Sequence, residues 1–259
     1  MLNLFITPRL RRRVRSVARG FTLAEMVVAS TVFALVSGMV IGFYSDTFRS
    51  MFVTEQKNLI NRDMRNLTLQ LSYDARQANC FVMYANYTVA ARTTPSQELA
   101  SGNSGDFLVF VIYGNAPNPL KFNIRPITEI IGYYRAPYQS NQLTIDPITN
   151  TSANMLPVRK FDLSVANSTL PANQYLLATG STDLPAGGTA TTLEALLPNA
   201  NQSTIDGHQI IVQLAQGLDN GLLFNNLLGK TVMVNGEIMH GDNAVSATDT
   251  YNFSVSPRG

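Results

Sequence analysis

A single cysteine, Cys80, stands in a chain of 259 residues. No disulfide can form within it, so stability must come from a packed core. Histidine is nearly as scarce, with only His208 and His240. Catalysis needs a positioned base, nucleophile or metal. The nearest approaches are Asp206 with His208 and His240 with Asp242, each pair at an expected strand end where a solvated turn explains it equally well. Gly229-Lys230-Thr231 has the ending of a phosphate-binding loop, but the pattern requires glycine where Phe224 stands. No catalytic residue, cofactor or metal ligand is expected, and the chain is read as a non-enzyme.

Acidic residues are absent from the first 20 positions, which hold Arg9, Arg11, Arg12, Arg13, Arg15 and Arg19. The net charge of +2 is therefore misleading: without this leader, 13 basic residues face 17 acidic ones. From Arg92 onward there are 8 basic and 12 acidic residues, so the basic stripe that DNA binding needs is missing. No nucleic-acid partner is expected.

Charge is also missing from Phe21 to Ser45, an apolar run interrupted only by Glu25. As a helix the run would span roughly 37 Å, enough to cross a bilayer. The arginines before it hold that flank in the cytoplasm and place the rest of the chain outside the inner membrane. The run is longer than the apolar part of a secretory signal, and no small-x-small cleavage site follows Tyr44. A carboxylate inside a membrane helix costs about 3 kcal/mol and marks a functional residue. No base within the run can pair with Glu25. A cut between Gly20 and Phe21 would create one, since the new amine lies one turn from Glu25. The plainer reading leaves Glu25 at the membrane interface.

The order of residues at this boundary is specific. Arg19 and Gly20 lead into Phe21-Thr22-Leu23-Ala24-Glu25 and then Met26-Val27-Val28-Ala29. The stretch resembles the cleavage and methylation segment of type IV prepilins and type II secretion pseudopilins. The resemblance implies a leader, residues 1–20, removed after Gly20 by a prepilin peptidase/methyltransferase, with Phe21 then N-methylated. It implies that Glu25 serves assembly by meeting the terminal amine of a neighbouring subunit. Its implied partners are other pilin or pseudopilin subunits, the inner-membrane assembly platform and the lipid bilayer. The fibre would be a pilus, in adhesion, or a periplasmic pseudopilus, in protein transport. Leu69 to Ala78 loosely resembles the same region of the larger minor subunits, which favours a minor subunit. Asp242, Asn243 and Asp249 could offer oxygens to calcium as a loop of the major pseudopilin does, but the acids are too sparse to assign a site.

Gly38 and Gly42 are spaced as GxxxG. They would serve close helix packing, a locally melted helix in the fibre, or neither, since glycine is common in membrane helices. Proline and glycine are absent from Asp46 to Tyr84, where apolar residues recur near helical spacing. One helix is therefore expected over residues 21–85, with its membrane span at 21–45 and with Cys80 buried in it. From 86 to 259 short apolar runs alternate with turn residues. Strands are expected at Phe107–Tyr113, Thr128–Tyr134, Pro157–Val165, Tyr175–Thr179, His208–Ala215, Lys230–Asn235 and Tyr251–Val255, with long loops at Gln139–Leu156 and Gly180–Thr204. The expected fold is α+β and pilin-like: a long N-terminal helix packed on a largely antiparallel sheet. The alternative reading is an uncleaved single-span protein with an extracytoplasmic ligand-binding head.

Overall fold

The computed structural model describes residues 20–115, 125–135, 155–176, 184–198, 209–241 and 246–258. All of the expected leader 1–20 except Gly20, and most of the expected loop Gln139–Leu156, lie outside the described residues. The chain divides into two compact units, Met1–Arg49 and Ser50–Gly259.

In the first unit the described residues are Gly20, Phe21 and Thr22 and the start of helix α1, Leu23–Gln77. No residue of α1 before Ile60 is buried within the chain. Three of its hydroxyl groups turn inward onto the helix: Ser30 Oγ donates to Val27 O at 2.9 Å, Thr31 Oγ1 to Val28 O at 2.8 Å and Thr47 Oγ1 to Phe43 O at 2.7 Å. Each of these is satisfied by a carbonyl of its own helix, which lowers the polarity it presents outward.

In the second unit α1 becomes one-sided. Ile60, Asp63, Leu67, Leu71, Asp74 and Ala75 are buried, spaced three or four apart on one face. The helix ends at Gln77, earlier than the expected 85. Asn79 explains the stop: its N–H donates to Val111 O at 2.9 Å and its Oδ1 accepts from Tyr113 N at 2.8 Å. The chain then runs on as strand β1, Cys80–Tyr84. Cys80 thus belongs to a strand and is half-buried, a correction to its expected place in the helix.

The remaining elements are β2 (Ser104–Gly105), β3 (Phe107–Tyr113), β4 (Ile127–Arg135), β5 (Leu156–Ser164), β6 (Gln174–Leu176), β7 (Thr189–Thr191), α2 (Leu193–Leu196), β8 (Gln209–Gly217), β9 (Phe224–Leu227), β10 (Thr231–Gly241) and β11 (Ser246–Val255). Nine strands form one sheet in the order β1-β3-β4-β5-β8-β10-β9-β2, with β11 also paired to β10. Every pairing in it is antiparallel; β6 and β7 form a separate parallel pair. The fold is therefore α+β, a long N-terminal helix on a largely antiparallel sheet.

Both faces of the sheet are covered. On one, Ile60, Leu67, Leu71 and Ala75 of α1 pack with Leu108, Phe110, Val158 and Val234. On the other, Phe107, Val109 and Val111 turn toward Tyr84, Tyr87, Leu193 and Leu197. The alternation along β3 divides its side chains between the two cores. That explains why the run Phe107–Tyr113 carries no polar face. Gly132 and Phe161 are cross-strand partners. A Cβ at Gly132 would lie 2.1 Å from the Phe161 ring, so glycine is the space the ring needs.

Candidate functional site

The N-terminal end of α1 brings together Gly20, Phe21 and Glu25. Thr22 caps the helix: Glu25 N donates to Thr22 Oγ1 at 3.3 Å, while Thr22 N and Thr22 Oγ1 both donate to Glu25 Oε2 at 2.9 Å. This is a reciprocal capping box, in which each side chain satisfies a backbone donor left open at the helix start. The carboxylate also sits at the positive end of the helix dipole. Within the chain the partner of Glu25 is therefore Thr22, which the expected pairing with a new Phe21 amine leaves out. The signal was present as Thr22-x-x-Glu25.

Phe21, just outside the cap, is 81% exposed. A side chain at Gly20 would meet nothing within 4 Å. The fold of this chain therefore gives no reason for glycine at position 20. Any requirement for it must come from a molecule that reads the peptide there. The bond between Gly20 and Phe21 lies in a non-helical stretch before α1.

Gly38 and Gly42 fall on one side of α1, one turn apart, and neither is crowded: a Cβ at each meets nothing within 4 Å. Packing within the chain does not select them. Phe33, Met39, Ile41 and Phe43 are exposed around them. Among the described residues α1 is one helix long and apolar enough to cross a membrane.

The second unit uses its rare polar groups to fasten elements. His240 is buried, and its Nε2 lies 2.9 Å from Oδ2 of Asp63 in α1. It joins strand to helix. Asp206, His208, Asp242 and Asn243 lie outside the described residues. Asp74, on the same face of α1 as Asp63, receives Lys160 Nζ at 2.6 Å and the Tyr133 hydroxyl. Asp106 accepts Arg135 Nε at 2.9 Å and Leu223 N at 3.0 Å, while Arg135 also reaches Ala215 O at 2.9 Å. Glu129 is pushed up to about 7, first by burial and then by the negative charge and hydrogen bond of Asp162. Burial likewise raises the Cys80 thiol, whose Sγ lies 3.6 Å from the Tyr113 hydroxyl, so the thiolate is disfavoured. Lys230 and Gly229 lie in a hairpin turn between β9 and β10. Among the described residues no group of three metal-ligating side chains comes together.

Residues 15–41 match the family model described as the prokaryotic N-terminal methylation motif. The match covers Arg15, Arg19, Gly20, Phe21, Glu25 and the first turns of α1. It is the signature of type IV pilins and pseudopilins. No curated protein and no solved structure matches the chain.

Proposed function

We propose that this chain is a minor subunit of a type IV pilus or a type II secretion pseudopilus, made as a precursor and built into a fibre through α1. Its leader is cut after Gly20 by a prepilin peptidase, and the same enzyme methylates the Phe21 amine. The observation that carries this reading is the methylation motif at residues 15–41 lying directly on the start of an apolar helix. Cleavage there changes the chemistry of the cap. The Phe21 nitrogen, an amide before the cut, becomes a cation next to a capping box that already holds the Glu25 carboxylate.

The apolar outer surface of α1 up to Ser45 suits two successive environments, lipid first and then the helices of other subunits. Topology follows the arginines: leader inside, head outside the inner membrane. The second unit serves as a structural head, with no chemistry of its own. Its ionisable pairs Asp63 with His240 and Asp106 with Arg135 are turned toward elements of the fold.

Mass spectrometry of the N-terminal peptide, on protein purified from membranes, tests the reading. A peptide beginning at Phe21 and carrying one extra methyl group is expected. An intact arginine leader, in cells with an active prepilin peptidase, would overturn it.

A further inference from the structure

Lys160 of β5 and Asp74 of α1 bring an amine and a carboxyl together inside the second unit. Lys160 Nζ lies 2.6 Å from Asp74 Oδ2, and the two side chains are 18% and 3% exposed. Since a carboxyl C–O bond is about 1.2 Å long, Asp74 Cγ is within about 4 Å of the amine. An attack distance is about 3 to 3.5 Å. A small turn of the carboxyl closes the gap.

The surroundings suit condensation as well as pairing. The Tyr133 hydroxyl donates to the same Asp74 Oδ2, and the Lys160 amine lies over the Tyr133 ring, 5.7 Å from its centre. Burial, then the charge of Asp74, pushes the Tyr133 phenol up, so it stays a donor. Charge is disfavoured in this patch: burial is also the first cause that raises Glu129, which feels both Asp74 and Lys160. An amide would remove two charges from the interior and keep the contact between helix and sheet. The pair borders a groove together with Tyr73 and Arg76, which gives released water a way out.

We infer that Lys160 Nζ and Asp74 Cγ condense into an isopeptide bond with loss of water. The ammonium passes one proton to the Asp74 Oδ2 it touches, leaving a neutral amine and a carboxylic acid. The amine then attacks Cγ. Oδ2, now a hydroxyl held by Tyr133, takes a second proton from the new nitrogen and departs as water, while Oδ1 re-forms the carbonyl. One N–C bond is made, one C–O bond is broken, and no other reactant is consumed. Holding amine and carboxyl in contact supplies an effective concentration on the order of 10⁵ M or more, which favours the amide over separate groups in water. The bond ties α1 to the sheet covalently, in a chain whose single cysteine allows no internal disulfide.

The reaction needs only the folded second unit, so its test is independent of leader cleavage and assembly. The full chain is produced in cells without a prepilin peptidase, where neither cleavage nor methylation alters its mass, and is weighed intact after denaturation. Wild-type protein should be lighter than its sequence by one water. Trypsin should release a branched peptide joining Asn66–Arg76 to the peptide that begins at Lys160.

Lys160→Arg keeps an ion pair with Asp74 but cannot form the amide, so it should show its full mass. Tyr133→Phe keeps the ring and loses the hydroxyl, and should form the bond about a hundredfold more slowly after synthesis. Wild-type protein at full mass, with the two tryptic peptides separate, would overturn the inference and leave an ion pair. So would a loss of water that persists in Lys160→Arg, because it would lie elsewhere in the chain. A bond that forms as fast in Tyr133→Phe as in wild type would overturn the part given to Tyr133.

Discussion

His240 Nε2 lies 2.9 Å from Asp63 Oδ2, with both side chains almost wholly removed from solvent. The pair fixes α1 against β10 at one point, and Asp74 with Lys160 fixes the same helix against β5 at another. Two polar fastenings three helical turns apart set both the position and the rotation of the helix on the sheet. Apolar packing between them is less directional.

Removing one partner of such a pair leaves the other buried and unsatisfied, which costs more than the pair itself contributes. Asp63→Ala should therefore destabilise the fold by about 3 kcal/mol. His240→Gln, which can still donate to Asp63, should cost markedly less. Urea unfolding of the full chain in detergent, followed by near-ultraviolet circular dichroism, separates the two. Equal losses would mean that only the volume of His240 matters.

Glu129 gives a pH dependence with an unusual sign. Its carboxyl is raised from the ordinary 4.5 to about 7, by burial first, then by Asp162, with Asp74 adding and Lys160 opposing. The folded state therefore holds a proton that the unfolded chain has already lost between those values. This contribution is fully present below pH 4.5 and is lost as pH rises through 7. Glu129→Gln should remove the dependence, so its unfolding midpoint should gain on wild type at pH 8 and not at pH 4. A constant difference between the two proteins across that range would show that Glu129 titrates normally.

Much of this architecture could be read locally, and the misreadings have a common cause. The apolar run, the strand Phe107–Tyr113 and the Thr22-x-x-Glu25 cap are each written in adjacent residues. The end of α1 is not. Ala78 and Val82 continue a helical spacing, but Cys80 finds Val111 as its cross-strand partner, and that distant pairing overrides the local period. Short strands such as Phe224–Leu227 gain their identity only by lying beside β10. His240 and Asp63 are 177 residues apart, so nothing near either one announces the other.

Gly132 offers a direct test of the packing between β4 and β5. The added methyl group of Gly132→Ala would lie 2.1 Å from the Phe161 ring. Both residues are fully within the sheet, so the ring cannot swing into solvent. The substitution should cost about 1 to 3 kcal/mol, and the double variant with Phe161→Leu should recover part of that loss. Additive losses in the thermal unfolding of the single and double variants would show that the two side chains do not compete for one space.

Gly20 needs the opposite argument, since space around it is open. Gly20→Val should leave folding and membrane insertion untouched, yet a β-branched side chain next to the scissile bond should block the peptidase. Full-length protein should accumulate in membranes, visible on a gel as a species larger by the leader. Normal processing of this variant would remove the proposed cleavage site.

Glu25 combines two roles that substitution can separate. Within the chain it caps α1 by accepting from Thr22; in the proposed fibre its negative charge meets a neighbour's terminal amine. Glu25→Gln keeps an oxygen able to accept the Thr22 hydrogen bonds and loses only the charge. Thr22→Ala loses a capping hydroxyl, at a cost of about 1 kcal/mol to the helix end, and keeps the charge. If the charge is what assembly uses, the glutamine variant should be processed normally and be absent from sheared fibres, while the alanine variant enters them. Capping as the sole role predicts the reverse ranking. Quantifying each variant in fibre and membrane fractions, alongside cleavage of the leader, decides between the two.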